Sequence, residues 1–228
     1  MEEFIKRENG VFEILNKFID ADLDFIVVGG YAVSAFKHRF SIDADIIVNS
    51  ENLNKFALIL EKNGFQKSIE KNLENVYSSR FIRYEKASLK VYVDLLIDGL
   101  ASRQTNASFS YDLIIKNSEK QKIIGIEKEI IAKVPAKELL IAMKIHSGRL
   151  TDFRDIAALA KNTDLEKIEH FLFRGDIGKL IEKLEQLNKT ARNNNFINSF
   201  KGVFLEKEFD VDLNQVEKIS SLRLKRIN

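Results

Sequence analysis

The stretch Phe25–Val48 reads FIVVGGYAVSAFKHRFSIDADIIV. An apolar run closes on Gly29-Gly30, a segment of helical spacing follows, and Asp43-Ala44-Asp45 heads a second apolar run. Alternate residues of a strand face the same side, so Asp43 and Asp45 project together while Ala44 and Ile46 face away. Two adjacent carboxylates repel unless a cation neutralises them. Hard divalent cations take oxygen ligands, and Mg2+ typically combines one or two carboxylates with substrate phosphates. The paired glycines let a ligand approach the main chain, and the start of a following helix offers unpaired N–H groups to an anion.

Further along, Asp94 lies between Val93 and Leu95 in the apolar stretch KVYVDLLID. An ionised carboxylate in such a strand is costly unless paired or metal-bound. Beside Asp43 and Asp45 it would complete a triad able to hold two metals, which about 3.5–4 Å apart stabilise the attacking and leaving oxygens of a phosphoryl displacement. Each feature alone has a plain structural explanation: a turn, a loop, a strand end facing water. Their order and strand context carry the inference.

The elements that must position these groups follow from periodicity. Val11, Ile14, Leu15, Phe18 and Ile19 form a helical stripe. Asp24–Val28 reads as a buried strand, 30–38 as a helix and Ala44–Val48 as a second strand. Glu51–Asn63 reads as a helix, and Arg80–Tyr84 and Leu89–Ile97 as two strands joined by a charged turn. Shorter strands are expected at Lys122–Ile126 and Glu129–Val134. Pro135, the sole proline, is expected to open a helix, where its missing N–H is harmless. Helices are expected over 136–147, 151–161, 164–172, 176–189, 193–205 and 212–223. The reading is an α+β chain: a mixed β-sheet flanked by helices over 1–131, then a helical bundle over 132–228.

These residues resemble the signature of the nucleotidyltransferase (polymerase β-like) superfamily. A hydrophobic-Gly-Gly turn is followed, after twelve residues, by Asp43-Ala44-Asp45, and a later strand supplies Asp94. Arg39-Phe40-Ser41-Ile42-Asp43 is similar to the Arg-x-Thr/Ser-x-Asp lead-in of many members. The stretch ELLIAMKIHSGRLTDFRDI, with Lys144, Arg149, Asp152 and Asp155, resembles the helical motif of the AbiEii-like group, which contains type IV toxin–antitoxin toxins. The resemblance implies that Asp43, Asp45 and Asp94 bind Mg2+ or Mn2+, with Asp94 also activating the attacking hydroxyl. Gly29, Gly30, Arg39, Ser41, Lys144 and Arg149 would hold the nucleotide. The implied reaction moves NMP from an NTP to an acceptor hydroxyl on RNA such as tRNA, on a protein or on a small molecule. A toxin role would bring an antitoxin protein as partner. The alternative is a non-catalytic nucleotide- or RNA-binding protein that keeps the fold.

Composition bounds the rest. At 228 residues, 45% apolar and 31% charged, with 17 Phe, the chain can bury a core, which excludes disorder as the main state. The absence of cysteine excludes disulfides, thiolate catalysis and cysteine-held metals. His38, His146 and His170 are too scattered for a zinc site, and no serine nucleophile–base arrangement is visible. No Gly-Lys-Ser/Thr follows the glycines, so they are not a Walker A loop, and the dinucleotide fingerprint lacks its third glycine. The net charge of +2 neither requires nor forbids nucleic acid. Arg80, Arg83, Lys86 and Lys90 interleave with Phe81 and Tyr84, a mix able to contact nucleic acid. A half-exposed strand pair accounts for it equally and is the preferred reading. The tail Arg223-Leu224-Lys225-Arg226 reads as a charged chain end. The polar start MEEFIKREN is unlike a signal peptide, and no apolar run approaches the roughly 18–20 residues of a membrane span. A cytoplasmic location without membrane contact is expected.

Overall fold

The computed structural model describes residues 2–75, 78–193, 195–200, 203–204 and 210–222. The tail 223–226 lies outside the described residues, as do parts of the helices expected at 193–205 and 212–223. The chain divides into two compact units: residues 1–101 with 108–135, and residues 102–107 with 136–228. Among the described residues no helix is long and apolar enough to cross a membrane.

The first unit is built on a seven-stranded mixed sheet. Its strands are β1 (Phe25–Val28), β2 (Ala44–Val48), β3 (Gln66–Asn75), β4 (Ser78–Lys86), β5 (Val91–Ile97), β8 (Ser118–Ile124) and β9 (Glu129–Pro135), in the order β3-β4-β5-β2-β1-β9-β8. β6 (Gly99–Ser102) and β7 (Ala107–Ser110) form a separate two-stranded sheet. β2 runs parallel to β5, and β1 parallel to β9. Every residue of β1 is buried, as its uninterrupted apolar run requires in a strand covered on both faces. The edges are the charged strands β3 and β8, which discourages pairing with another chain. Helices α1 (Glu2–Asp20) and α3 (Leu53–Lys62) pack on the sheet through Phe18, whose ring lies 5.8 Å from Phe25 and 4.9 Å from Phe56. Two shorter helices, α2 (Gly29–Ser34) and α4 (Tyr111–Lys116), complete this unit.

The second unit is helical. Its α5 (Lys137–Ser147) is buried from Leu139 to His146, on every side, as its lack of a polar face implies. Gly148 ends it at φ 59°, a left-handed stop. Then come α6 (Leu150–Leu159), α7 (Leu165–Leu172), α8 (Ile177–Ala191) and α9 (Leu213–Ser220). Asp164, Asp176 and Asp212 accept main-chain N–H bonds at the starts of α7, α8 and α9. Residues 102–107 join this unit because Thr105 docks into it: its carbonyl accepts the Asp176 N–H at 2.6 Å and its hydroxyl meets His146 Nδ1 at 2.7 Å.

Several elements differ from the sequence reading. Pro135 is the last residue of β9, opposite Ser118, and α5 starts two residues later. The helix after β1 stops at Ser34. β3 was not expected, because the polar sequence QKSIEKNLEN of an edge strand has no alternating apolar side. Of the helix expected at 193–205, Ile197–Phe200 alone is helical among the described residues, as a short 3-10 turn.

Candidate active site

Strand register assembles the site. β1 pairs Val28 with Asp45, β5 pairs Asp94 with Asp45, and β4 pairs Arg83 with Asp94. Residues directly opposite in a sheet share a face, about 4.8 Å apart between strands. One row, Val28–Asp45–Asp94–Arg83, therefore crosses four strands. Asp43 lies one residue before β2, within electrostatic reach of Asp94 and Arg83. The main-chain N–H of Tyr92 donates to its carboxylate. Its Oδ1 is buried and has no hydrogen-bond partner. Burial pushes the Asp43 carboxyl above its usual range; Arg7 opposes this, the charge of Asp94 adds to it, and Arg83 opposes it.

Asp94 is 5% exposed. Arg83 closes on it with two parallel bonds: Nε donates to Oδ1 at 2.7 Å and Nη2 to Oδ2 at 2.7 Å. The guanidinium also stands 4.9 Å from the Tyr92 ring centre and 5.9 Å from that of Phe81. Sequence reasoning placed Arg83 in a basic, aromatic strand pair and missed this role. The signal was available: the turn at 87–90 sets the β4–β5 register, and that register puts Arg83 opposite the buried acid.

The paired glycines pack against the same residues. Gly29 has φ 65°, and a Cβ there would lie 2.0 Å from Asp45 Oδ2. A Cβ on Gly30 would lie 2.5 Å from Ser41 Oγ and 3.4 Å from Arg39 Nη2. The loop carrying these side chains is pinned: the Tyr31 hydroxyl donates to the Ser41 carbonyl at 2.7 Å, and the Ser34 hydroxyl to the Arg39 carbonyl at 3.0 Å. The Tyr31 phenol is pushed up by burial first, then by the charges of Glu8 and Asp43. Thus Gly29, Gly30, Arg39, Ser41, Asp43, Asp45 and Asp94 gather at one place on the sheet.

The donor set suits a hard cation in part. Asp43, with its buried unpartnered oxygen, and Asp45 two residues on supply two carboxylates, which a divalent ion can share with water and phosphate oxygens. Asp94 differs, since Arg83 takes both of its oxygens. Among the described residues, no group of three His, Cys, Asp or Glu is assembled as a metal site.

Lys144 and Arg149 belong to the second unit. The Lys144 side chain is 7% exposed, with Nζ 2.6 Å from Asp155 Oδ2 and 3.3 Å from Asp152 Oδ1. Asp152 Oδ2 accepts from the Ser147 hydroxyl at 2.7 Å, Arg149 Nε at 2.8 Å and the Arg149 N–H at 3.2 Å. Burial alone would raise the Asp152 carboxyl, but Lys144, Arg149 and Ser147 outweigh it and hold the group below its usual range. These bonds fix the α5–α6 corner.

No family model and no curated protein matches this chain. Solved structures do match. The solution structure of the antibiotic-resistance factor ANT(2'')-Ia aligns with 74% of this chain and 90% of its own, at TM-score 0.50 and 14% identity. Lincosamide adenylyltransferase LnuA with lincomycin bound aligns over 68% and 98%, at TM-score 0.48 and 20% identity. A protein from H. pylori assigned to the nucleotidyltransferases aligns over 100% and 99%, at TM-score 0.49 and 16% identity. The chain shares the fold of ANT(2'')-Ia.

Proposed function

We propose that the chain is a metal-dependent nucleotidyltransferase that moves NMP from an NTP to an acceptor hydroxyl. The observation that carries this reading is that Asp45 and Asp94 stand opposite each other on adjacent strands, with Asp43 just ahead of β2 in electrostatic reach of Asp94 and the Gly29 turn against Asp45. Asp43 and Asp45 hold a Mg2+ or Mn2+ ion, which supplies charge neutralisation to the phosphates when bound. Gly29 and Gly30 let the triphosphate approach the main chain, with Arg39 and Ser41 beside them. The acceptor oxygen forms a bond to the α-phosphorus, the α–β bridging P–O bond breaks, and pyrophosphate departs. The acceptor proton leaves to solvent water. Phosphate neutralisation by Lys144 and Arg149 is part of the proposal and rests on their motif resemblance, as does a toxin role with an antitoxin partner.

A second reading, nucleotide or RNA binding without catalysis, is favoured by one observation: the third carboxylate is engaged by Arg83. Two measurements separate them. Incubation with each α-labelled NTP, Mg2+ or Mn2+, and total RNA or lysate is expected to yield a labelled acceptor, lost in Asp43→Asn. Label transfer surviving in that variant rejects the catalytic assignment. In a thermal shift with NTP, a rise that needs the metal supports the enzyme, and a metal-independent rise supports simple binding.

A further inference from the structure

The disagreement between Asp94 and a second metal has a structural cause. A carboxylate that ligates a metal must present an oxygen lone pair towards it. Both Asp94 oxygens accept from one guanidinium at 2.7 Å, in the fork-to-fork geometry that makes Arg–carboxylate pairs strong and planar, which leaves one lone pair on each oxygen and sets a positive charge beside it. The pair is well held. Asp94 is almost fully buried, Tyr92 and Phe81 flank the guanidinium, and the β4–β5 register fixes both main chains. Arg83 is also within electrostatic reach of Asp43 and Asp45. It therefore contributes a fixed positive charge beside all three acids. A second divalent ion at Asp94 would have to displace the guanidinium or sit against it, and like charges at that range repel strongly where water is scarce.

We propose that Arg83 takes the place of the second divalent cation, so that the site holds one metal ion, at Asp43 and Asp45, while Asp94 serves to position Arg83. Three of the five guanidinium N–H groups remain for an anionic group such as a phosphate oxygen. This rests on the metal-centre reading above and narrows it from two ions to one.

The test counts metal rather than product. The full chain is titrated with Mn2+ alone, and free Mn2+ is followed by electron paramagnetic resonance. Background surface binding is taken from Asp43→Asn/Asp45→Asn. The wild type is expected to bind one ion per chain above that background. Arg83→Gln is expected to bind two, the second within about tenfold of the first in affinity. Arg83→Gln/Asp94→Asn, which removes the pair without changing net charge, is expected to bind one. If Arg83→Gln fails to fold, the neutral double variant and the wild type still decide. Two ions in the wild type overturn the proposal, as does a single ion in folded Arg83→Gln. Loss of the ion in the neutral double variant also overturns it, because Asp94 would then be a ligand. No ion at all in the wild type overturns the metal centre itself, an outcome distinct from finding two.

Discussion

The Asp45 carboxylate occupies the space that a side chain at residue 29 would need, so only Gly29 fits beside it. A Cβ there would stand 2.0 Å from the Asp45 carboxylate, inside van der Waals contact, and the backbone is at φ 65°. Gly29→Ala therefore incurs roughly 1–2 kcal/mol of left-handed backbone strain and must also push Asp45 from its place. A displacement near 1 Å at a reacting centre costs on the order of a hundredfold in rate. The expected result is a modest fall in melting temperature with about a hundredfold loss of label transfer. Gly64→Ala is the control, since φ is 80° there but the nearest atom, Lys86 Cε, is 3.8 Å away. It should lower stability and leave transfer intact. Equal transfer losses in both variants would show that strain, not the Asp45 position, is responsible.

Burial disfavours the charged Asp43 carboxylate in the folded chain. Its carboxylate is held partly desolvated, with one oxygen unpartnered and Asp94 close by. Asp43→Asn removes that charge and keeps the shape, so its unfolding free energy in urea should equal or exceed the wild type's by up to about 1 kcal/mol. The same variant should lose the thermal stabilisation that Mn2+ gives the wild type. A variant that is destabilised yet still stabilised by Mn2+ would remove Asp43 from the metal centre.

The first unit was legible where chemistry forced an unusual residue. An acid inside an apolar strand, or two glycines at a strand end, violates local preference and points to a site. Asp45 and Asp94 were readable for that reason, and β2 was bounded at Ala44 and Val48 as expected. Arg83 was not, because an arginine on a half-exposed strand violates nothing; only the register reveals its partner. β3 was hidden for the same reason, being mostly polar at a sheet edge, with only Ile69 and Leu73 apolar. The limits of the second unit were set less by residue type than by packing, which draws residues 102–107 out of the first unit's sequence span.

Lys144 is an inward-pointing cation in contact with two buried acids, and the spacing of Lys144, Asp152 and Asp155 carries no sign of that direction. Removing one partner of a buried ion cluster strands the others, at a typical cost of 3–5 kcal/mol. Lys144→Ala should lose about that much stability in urea unfolding, a large share of an ordinary domain's total. Lys144→Met/Asp155→Asn should recover most of it, since Asp152 keeps Arg149 and Ser147. Calorimetry with NTP, below the melting temperature of each variant, tests the phosphate role separately. Unchanged affinity in the folded double variant would confine Lys144 to holding the α5–α6 corner.

His146 supplies an acid-sensitive term in the second unit. Its neutral ring is satisfied on both nitrogens: Nε2–H donates to the Leu172 carbonyl at 2.9 Å, and Nδ1 accepts the Thr105 hydroxyl at 2.7 Å, roles assigned from the network. Burial pushes its pKa from 6.5 down to about 4; the Leu172 carbonyl opposes this and Arg174 adds to it. Between those values the unfolded chain binds a proton that the folded chain refuses. Stability is therefore full above pH 6.5 and falls as pH drops towards 4, by about 3 kcal/mol for this group. Glu8 and Asp43, both pushed up by burial, act with the opposite sign at the lower end of that window, so the wild-type curve is a sum. The difference between wild type and His146→Gln isolates the histidine. Urea unfolding at pH 7.5, 6, 5 and 4.5 should show the gap between the two shrinking as pH falls. A constant gap across that range would mean that His146 takes no part in the acid response and that its buried contacts matter equally in either charge state of the unfolded chain.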